Sequence, residues 1–223
     1  LLWAVRHVSP TSAYGCSQLC KLMSAPSDRA WQAAMHMLAY LYAHGEEGIE
    51  FHETDSEPVC FVDASNKDDP VDGKCQFGYT INWGGPIIWK SSKLQHVGIN
   101  STYNEYMALH HAIKQIVWMR QLIEQMGMST RFLTRPTLIH ADNKQANNIA
   151  SEDLITNGNM YFRTGYHYCK EAISDGYAIV QYIATDRNIS DPMTKALGGN
   201  KSRQFTPILQ GQEDIDDDLL VPV

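Results

Sequence analysis

The chain has 223 residues, with 43% hydrophobic and 19% charged side chains, which is typical of an ordinary folded protein. No apolar run approaches the roughly 18 residues of a membrane-spanning helix, so no membrane association is expected. The formal net charge of −7 argues against a protein that binds nucleic acid by charge alone, although five of the acids lie in one C-terminal run: Glu213, Asp214, Asp216, Asp217 and Asp218.

Residues 1–55 are predicted to be helical, because apolar residues recur at helical spacing from Trp31 to Tyr42. Ser27 is a suitable N-cap for this helix, and Gly45 ends the pattern. We expect this region to pack only loosely against the rest of the chain. It would then expose an apolar face, formed by Trp31, Met35 and Leu38.

Residues 56–197 alternate between strand-like and helix-like patterns, which predicts an α/β domain. A buried strand over 59–62 is followed by a hairpin around Gly84-Gly85, and a long amphipathic helix runs from Ser101 towards Gly127. The later elements are a strand over 137–141, a helix over 144–151, a helix over about 160–175, a strand over 178–183 and a last short helix. Residues 198–223 are predicted to be a flexible acidic tail.

Four acids lie at strand ends or helix starts of this α/β region. Asp63 ends the first strand, and Asp142 follows the strand over 137–141. Glu105 lies in the first turn of the long helix, and Asp191 opens the last short helix. Carboxylates in such positions can converge at one end of a sheet, where they would bind hard divalent cations such as Mg²⁺. Asp63 in particular needs a partner or a metal, because it ends a buried strand.

Three of the acids also have a purely structural interpretation. Thr102-Tyr103-Asn104-Glu105 matches a capping box, in which the glutamate would satisfy a backbone N–H at the helix start. Asp191 precedes Pro192, which is a common way to open a helix. Asp142 would be able to cap the following helix, for which Asn143 is an equally suitable residue.

Several motifs follow one another between residues 58 and 197. They are Phe61-Val62-Asp63-Ala64-Ser65, Gly78-Tyr79, Ile88-Trp89-Lys90-Ser91-Ser92-Lys93, Ser101-Thr102-Tyr103-Asn104-Glu105-Tyr106, Asp142-Asn143-Lys144-Gln145-Ala146, Tyr166-His167-Tyr168 and Asp191-Pro192-Met193-Thr194-Lys195-Ala196-Leu197. With these motifs the region resembles the ribonuclease H domain of copia-type retrotransposon Pol polyproteins. Residues 1–55 resemble the end of the preceding reverse-transcriptase region, in which Met23-Ser24-Ala25-Pro26 and Trp31-Gln32-Ala33-Ala34 match the final helices.

The resemblance implies a ribonuclease H-like fold, which is a five-stranded mixed sheet in the order 3-2-1-4-5 with helices on both faces. It implies an endonuclease that hydrolyses the RNA strand of RNA–DNA hybrids and leaves a 3′-hydroxyl and a 5′-phosphate. It also implies two Mg²⁺ ions, for which Mn²⁺ can substitute. Asp63 would bridge them, Glu105 and Asp142 would complete one site, and Asp191 would serve the other. The implied partners are the hybrid and the upstream reverse-transcriptase region.

Further expectations concern the nucleic acid and the cell. The candidate contacts to nucleic acid are Lys90, Ser92, Lys93, Ser101, Asn143 and Lys144. Many ribonucleases H carry a histidine in the loop before the last helix, but residues 185–190 contain none. The segment 159–162 replaces a basic segment of the family, so one nucleic-acid contact is expected to be missing. The five cysteines include no C-x-x-C pair, which favours an intracellular location, cytoplasmic with the nucleus as the alternative.

Two other functions remain as alternatives. Transposases and integrases share this type of fold, but they place their glutamate last, on a late helix, whereas Glu105 comes second among the four acids. A catalytically inactive retrotransposon remnant, used as an interaction module, is the other alternative. The presence of all four acids argues against such a remnant.

Overall fold

The computed structural model describes residues 1–65, 69, 72–151 and 163–222. The helix predicted over about 160–175 is observed as α7 (Arg163–Ser174), and its first predicted residues lie outside the described ones. The segment 159–162, where a nucleic-acid contact is expected to be missing, also lies outside them. Within the described residues, no helix combines the length and the hydrophobicity that a membrane crossing requires.

Five strands form one mixed sheet in the order β3-β2-β1-β4-β5. They are β1 (Val59–Ala64), β2 (Gln76–Asn82), β3 (Pro86–Lys93), β4 (Thr137–Ala141) and β5 (Ala178–Tyr182). Strands β1 to β3 are antiparallel because hairpin-type connections join them, whereas β4 and β5 run parallel to β1 because helices separate them along the chain. The predicted ribonuclease H-like fold class and its strand order are therefore confirmed.

The other helices in chain order are α1 (Leu2–His7), α2 (Ala13–Cys20), α3 (Asp28–Ala43), α4 (Ser101–Gln125), α5 (Ser129–Phe132), α6 (Lys144–Ser151) and α8 (Gly199–Leu209). Short 3₁₀ turns occur at Pro10–Ser12, Thr185–Arg187, Asp191–Met193 and Asp217–Leu219. The predicted cap of α3 is confirmed, because the Ser27 hydroxyl accepts a hydrogen bond of 3.2 Å from the Ala30 amide. Gly127 follows α4 with a φ of 74°, a conformation that favours glycine and ends the helix.

Helix α4 covers one face of the sheet with a continuous apolar stripe. Tyr106, Leu109 and Ile113 are fully buried on this stripe, and they pack in one cluster with Ile81 of β2 and Ile139 of β4. Each such side chain stabilises the fold by about 1.5–3 kcal/mol through burial. The stripe fixes α4 against the central strands and thereby fixes the position of its first turn.

The N-terminal helices pack tightly against the other face of the sheet. Val5 of α1 and Cys16 of α2 are buried in a cluster that contains Phe61 of β1. The Trp89 indole N–H on β3 also donates a hydrogen bond of 2.8 Å to the Val5 carbonyl. The prediction of loose packing is therefore wrong for α1 and α2. These helices are short, so their buried residues make contacts that no local periodicity signals.

Helix α3 behaves differently from α1 and α2. Its apolar residues Trp31, Met35 and Leu38 are 68%, 45% and 49% exposed, as predicted for this face. The N-terminal region therefore has one part built into the core and one part that presents an apolar surface to solvent.

The prediction of a flexible tail over 198–223 is wrong for the described residues up to 222. Phe205 and Leu209 of α8 are buried against the same sheet face as α1 and α2. The His140 ring donates from Nε2 to the Leu219 carbonyl at 2.8 Å, which fixes the chain end beside β4. The composition of the segment was misleading because its acids face solvent while a few widely spaced apolar residues pack inward. Arg187 holds this acidic run through ion pairs of 2.7 Å to Asp218 and 2.9 Å to Asp216.

Candidate active site

Three of the four predicted acids converge at one end of the sheet. Asp63 lies at the end of β1 and Asp142 directly after β4, and these two strands are parallel neighbours with Val62 opposite Ala141. Glu105 reaches the same point from α4, and one oxygen from each of the three carboxylates lies within 4.8 Å of the others. Asp63 and Glu105 are buried, whereas Asp142 is partly exposed, so the group opens to solvent on the Asp142 side.

Glu105 is held by the strand and not by its own helix. Its Oε2 accepts a hydrogen bond of 3.0 Å from the Ala64 amide, at the end of β1. The cap of α4 is Asn100, whose side chain accepts from the Tyr103 amide at 2.8 Å. The capping-box interpretation is therefore wrong. Because the helix begins at Ser101, Glu105 lies too deep in it to reach the first amides, and its carboxylate points to the sheet.

The helix after β4 is capped by Asn143 and not by Asp142. The Asn143 Oδ1 accepts a hydrogen bond of 3.0 Å from the Ala146 amide at the start of α6. Asp142 therefore has no capping role, and its carboxylate belongs to the group formed with Asp63 and Glu105. Because Asn143 caps the helix, the carboxylate of its neighbour Asp142 is available to the group of acids.

Asp191 lies beside this group, in the 3₁₀ turn Asp191–Met193, and is fully buried. The Lys195 ammonium is 2.8 Å from its Oδ1, and the Lys201 ammonium is 3.4 Å from its Oδ2. Lys195 is also 3.8 Å from Asp63 Oδ2, so this lysine lies between the fourth acid and the other three. The N-cap of this turn is Ser190 and Asp191 is its first residue, so the N-cap interpretation of Asp191 is wrong.

No role in the site was predicted for Lys195 or Lys201. Lys195 follows Asp191 by four residues, which is the spacing that brings side chains together on one helical face. The contact between Lys195 and Asp191 could have been predicted from this spacing. Lys201 lies on α8, in the segment that was predicted to be a flexible tail, so its contact had no local signal.

The turn that carries Asp191 packs directly on the sheet at a glycine. Gly78 of β2 is the residue paired with Asp63 across the antiparallel strands β1 and β2. A Cβ atom at position 78 would collide with the side chain of Met193 and would lie 3.1 Å from the Lys90 carbonyl oxygen. The absence of a side chain at Gly78 therefore sets how closely the turn approaches the carboxylates.

Burial and the neighbouring carboxylates make Asp63 and Glu105 resist ionisation. Burial, reinforced by the charges of Asp63 and Asp142, raises the pKa of Glu105 to about 9. Burial also raises the pKa of Asp63 to about 7, although the Lys195 ammonium and a hydrogen bond from the Thr194 hydroxyl oppose this shift. Burial lowers the pKa of Lys195, but the charges of Asp63 and Asp191 outweigh it and leave the pKa raised. Near neutral pH, the group therefore needs additional positive charge to be fully ionised.

The donor set fits a hard divalent cation. All three converging ligands are carboxylates, and oxygen ligands of this kind suit Mg²⁺ and Mn²⁺. The raised pKa values of Asp63 and Glu105 indicate that too little positive charge surrounds these carboxylates. A bound divalent cation would supply that charge and favour their ionised forms. The residues present are consistent with the predicted metal, and the identity of the ion stays a prediction.

The carboxylates lie in a cavity of about 850 Å³. Its lining includes the acids Asp63, Glu105 and Asp142 and the polar residues Lys74, Gln76, Asn143, Thr194 and Lys195. The lining of the cavity therefore combines carboxylates with amide and ammonium groups that can donate hydrogen bonds. A cavity of this composition can accept an anionic chain only if cations, either lysines or metal ions, compensate the carboxylates.

One predicted nucleic-acid contact, Asn143, lines this cavity. Lys93 on β3 is instead paired with acids, at 2.7 Å from Asp72 and 3.8 Å from Asp69. Ser92 is partly buried beside it on the same edge strand. The structure therefore places these three residues around the site in two different settings, and their contacts to nucleic acid stay predictions.

The other three predicted contacts are exposed and lie on separate elements. Lys144 opens α6 with its ammonium 4.5 Å from the centre of the Tyr182 ring. Lys90 of β3 lies 5.6 Å from the centre of the Phe77 ring. Ser101 is the first residue of α4. The middle of β3 and the first turns of α4 and α6 would have to face the same ligand for all three residues to bind it.

Comparisons with known proteins connect the chain with transposon polyproteins. No protein-family model matches it. The retrovirus-related Pol polyprotein from transposon TNT 1-94 of Nicotiana tabacum is 23% identical over 202 residues, which are 90% of this chain and 15% of that protein. The corresponding polyprotein from transposon RE2 of Arabidopsis thaliana is 25% identical over 199 residues, 88% of this chain and 14% of that protein. The chain thus spans about 15% of the length of these relatives.

A third relative is much shorter. Secreted RxLR effector protein 161 of Plasmopara viticola is 32% identical over 112 residues, which are 49% of this chain and 79% of that protein. Among solved structures, LC11-RNase H1 isolated from compost is similar with a TM-score of 0.47 at 11% identity, covering 62% of this chain and 93% of that one. The N-terminal RNase H domain of a Mycobacterium tuberculosis protein gives 0.44 at 12% identity, covering 68% and 96%.

Proposed function

Since the chain is similar along most of its length to retrovirus-related Pol polyproteins of plant transposons, we propose that its sheet domain hydrolyses the RNA strand of RNA–DNA hybrids. The observation that carries the proposal is the convergence of Asp63, Glu105 and Asp142 at the end of two adjacent parallel strands. Each of these three residues lies in one of the motifs through which the sequence resembles ribonucleases H. The reaction class is metal-dependent phosphodiester hydrolysis.

The proposed roles are those that the resemblance to ribonucleases H implies, and the convergence of three of the carboxylates supports them. Asp63, Glu105 and Asp142 would hold one divalent cation, and Asp63 together with Asp191 would hold a second. Two such ions, when bound, supply an activated water on one side of the phosphorus and stabilise the charge on the leaving oxygen. The protein itself contributes orientation, because the Ala64 amide fixes Glu105 at 3.0 Å.

Lysines take part in the balance of charge at this site. Lys195 and Lys201 pair with Asp191, so a cation that binds there must compete with two ammonium groups. Asp63 shares only the more distant contact of 3.8 Å with Lys195. We therefore propose that the group of three acids is the stronger cation site and the Asp191 side the weaker one.

The proposed substrate is the RNA strand of a hybrid, because its 2′-hydroxyls distinguish that strand from the DNA strand. The cavity of about 850 Å³ offers hydroxyl and amide groups that can bind such a backbone. The upstream reverse-transcriptase region is the proposed partner, and it would cover the exposed face of Trp31, Met35 and Leu38. An intracellular location, cytoplasmic or nuclear, belongs to the same proposal.

A catalytically inactive interaction module is the second candidate. The similarity to a secreted effector protein, 32% identical over 112 residues, favours it, because that relative is far shorter than a polyprotein. The converging carboxylates favour the enzyme.

Incubation of the purified chain with a labelled RNA–DNA hybrid, with and without Mg²⁺, separates the two candidates. An enzyme cuts the RNA strand only with the metal, leaves an RNA-free duplex intact and loses cleavage in the Asp142→Asn variant. Cleavage no greater than that of the variant would exclude the enzyme and support the module.

A further inference from the structure

Helix α2 forms part of the cavity that holds the carboxylates. Tyr14 of this helix, Gln18 and Lys21 line the same space as Asp63 and Glu105. All three lie within residues 1–55, which were predicted to be a separate, loosely packed region. The lining of the cavity is therefore composite, with residues from both parts of the chain.

The position of α2 at the cavity is fixed by a buried amide. The side chain of Gln76 on β2, which is 4% exposed, donates a hydrogen bond of 2.8 Å to the Ser17 hydroxyl. Its Oε1 accepts a hydrogen bond of 3.4 Å from the Gln18 amide group. Ala13 and Cys16 of the same helix are buried against the sheet. The helix is thus anchored by polar and apolar contacts and forms a fixed wall.

This wall brings positive charge to a cavity that is rich in acids. The Lys21 ammonium lies 3.0 Å from Asp69 Oδ2, and Lys74 lines the cavity as well. An ammonium group has three N–H donors, so Lys21 can keep its bond to Asp69 and still donate to an incoming phosphate oxygen. A nucleic-acid strand that enters this cavity meets a lining that carries both of these ammonium groups.

We propose that α2 is part of the substrate-binding surface of the nuclease, with Lys21 bound to a backbone phosphate of the RNA–DNA hybrid. Tyr14 and Gln18 line the path of the same strand between Lys21 and the carboxylates. This inference rests on the proposed function, because it assigns the strand that the site would cut. Residues 13–21 would then be part of the surface of the nuclease that binds the substrate, and not a separate unit packed beside it.

A direct test measures binding of a labelled RNA–DNA hybrid by fluorescence anisotropy at several salt concentrations. The full-length chain carries Asp142→Asn in every sample, so that the hybrid is not cut. We expect Lys21→Ala to weaken binding several-fold and to reduce the slope of log K against log salt by about 0.9, the value for one lost phosphate contact. Lys21→Arg should restore both quantities, because it keeps the positive charge.

Arg131→Ala is the matched control. Arg131 pairs with Asp55 at 3.3 Å, so the control also removes one cation from an ion pair with an aspartate. Arg131 lies in α5, before the start of β4, whereas the carboxylates lie at the other end of that strand. It should leave both the affinity and the salt slope unchanged. A slope equal to that of the parent in a folded Lys21→Ala variant would overturn the inference.

A second variant guards against a purely structural effect of losing the ion pair. Lys21→Ala combined with Asp69→Asn removes both charges, so no acid is left without its lysine. If Lys21 only neutralised Asp69, the double variant would keep the parental salt slope, and the inference would fail. A reduced slope in the double variant supports the phosphate contact.

Cleavage assays in the otherwise unchanged chain separate this inference from the proposed function. Lys21→Ala should raise KM several-fold while kcat at saturating hybrid stays within about twofold, as for a lost uniform binding contact. A parent that cleaves, together with a Lys21→Ala variant of parental KM, contradicts only the role of α2. A parent that neither binds nor cleaves the hybrid contradicts both.

Discussion

The ammonium of Lys195 lies 2.8 Å from Asp191 Oδ1, so a side chain four residues further along the chain neutralises the fourth acid. Lys201 adds a second ammonium at 3.4 Å. Asp63, Glu105 and Asp142 lack such close compensation from Lys195, whose nearest approach to Asp63 is 3.8 Å. Ammonium groups therefore compensate the charge of Asp191 more closely than the charges of the other three acids.

The first prediction concerns cation binding at the two sides. Lys201→Ala removes one competitor at Asp191, so the weaker of two Mg²⁺-binding events should tighten several-fold while the stronger one is unchanged. Isothermal titration calorimetry measures both events. Arg203→Ala is the control, since Arg203 is an exposed residue on the same helix, α8. A tightening of equal size in the control would point to a general effect of charge.

The second prediction concerns the clustered charges. Asp142→Asn should abolish Mg²⁺-dependent cleavage and raise the melting temperature in chelator, because it removes one charge from a repulsive group of three. The gain in unfolding free energy is about 1 kcal/mol near neutral pH. Added Mg²⁺ should then stabilise the variant less than the parent, because a metal ligand is missing.

Melting curves with and without Mg²⁺, recorded beside the cleavage assay, measure these changes. Asp175→Asn serves as the control, because it removes a charge from an exposed position at the end of α7. A melting temperature in chelator that does not rise in Asp142→Asn would show that the three carboxylates do not repel one another.

The third prediction is a pH dependence of stability in chelator. The pKa values of Asp63 and Glu105 are raised in the folded chain to about 7 and about 9, above those of the unfolded chain. The folded state therefore binds more protons than the unfolded state between the two sets of values, and its stability falls as pH rises through this window. Stability from these two groups is fully present below the unfolded pKa values and is lost by about pH 9.

Thermal melts across this pH range in chelator test the slope. Glu105→Gln should flatten the curve above neutral pH, because it removes the group with the higher pKa. Saturating Mg²⁺ should flatten it in the parent as well. A parental stability that rises with pH in chelator would contradict the raised pKa values.

The fourth prediction tests whether the C-terminal segment belongs to the core. Phe205→Ala should lower the free energy of unfolding by about 3–5 kcal/mol, because the ring is buried and its loss leaves a cavity. Phe51→Ala is the matched control, since that ring is 61% exposed and should change stability little. Urea unfolding of the two variants measures the difference. Equal small effects would mean that α8 is detached in solution.

The strands were predictable from the sequence because β1 and β4 are largely apolar runs and because β2 and β3 flank the turn at Gly84-Gly85. The strand β4 (Thr137–Ala141) and the helix α6 (Lys144–Ser151) have the bounds that the local pattern predicts. The strand order that the resemblance implies accounts for the convergence of Asp63, Glu105 and Asp142. Local pattern located the elements, and the resemblance supplied their arrangement.

The remaining features depend on contacts between distant parts of the chain. Val5 and Cys16 lie on short helices, and Phe205 and Leu219 are separated by acids, so none of them forms a recognisable stripe. Glu105 does not cap α4 because the N-cap is Asn100 and not Thr102, a difference of two residues in where the helix begins. Propensity does not fix such a boundary, whereas the tertiary contact with β1 does.

The lack of a side chain at Gly78 has a consequence for how related sequences are interpreted. An alanine at this position would push the turn of Met193 away from the sheet, and Asp191 and Lys195 would move with it. A related sequence with this single change would keep all four acids and still have a distorted site. The presence of the four acids is therefore not sufficient to identify an intact site.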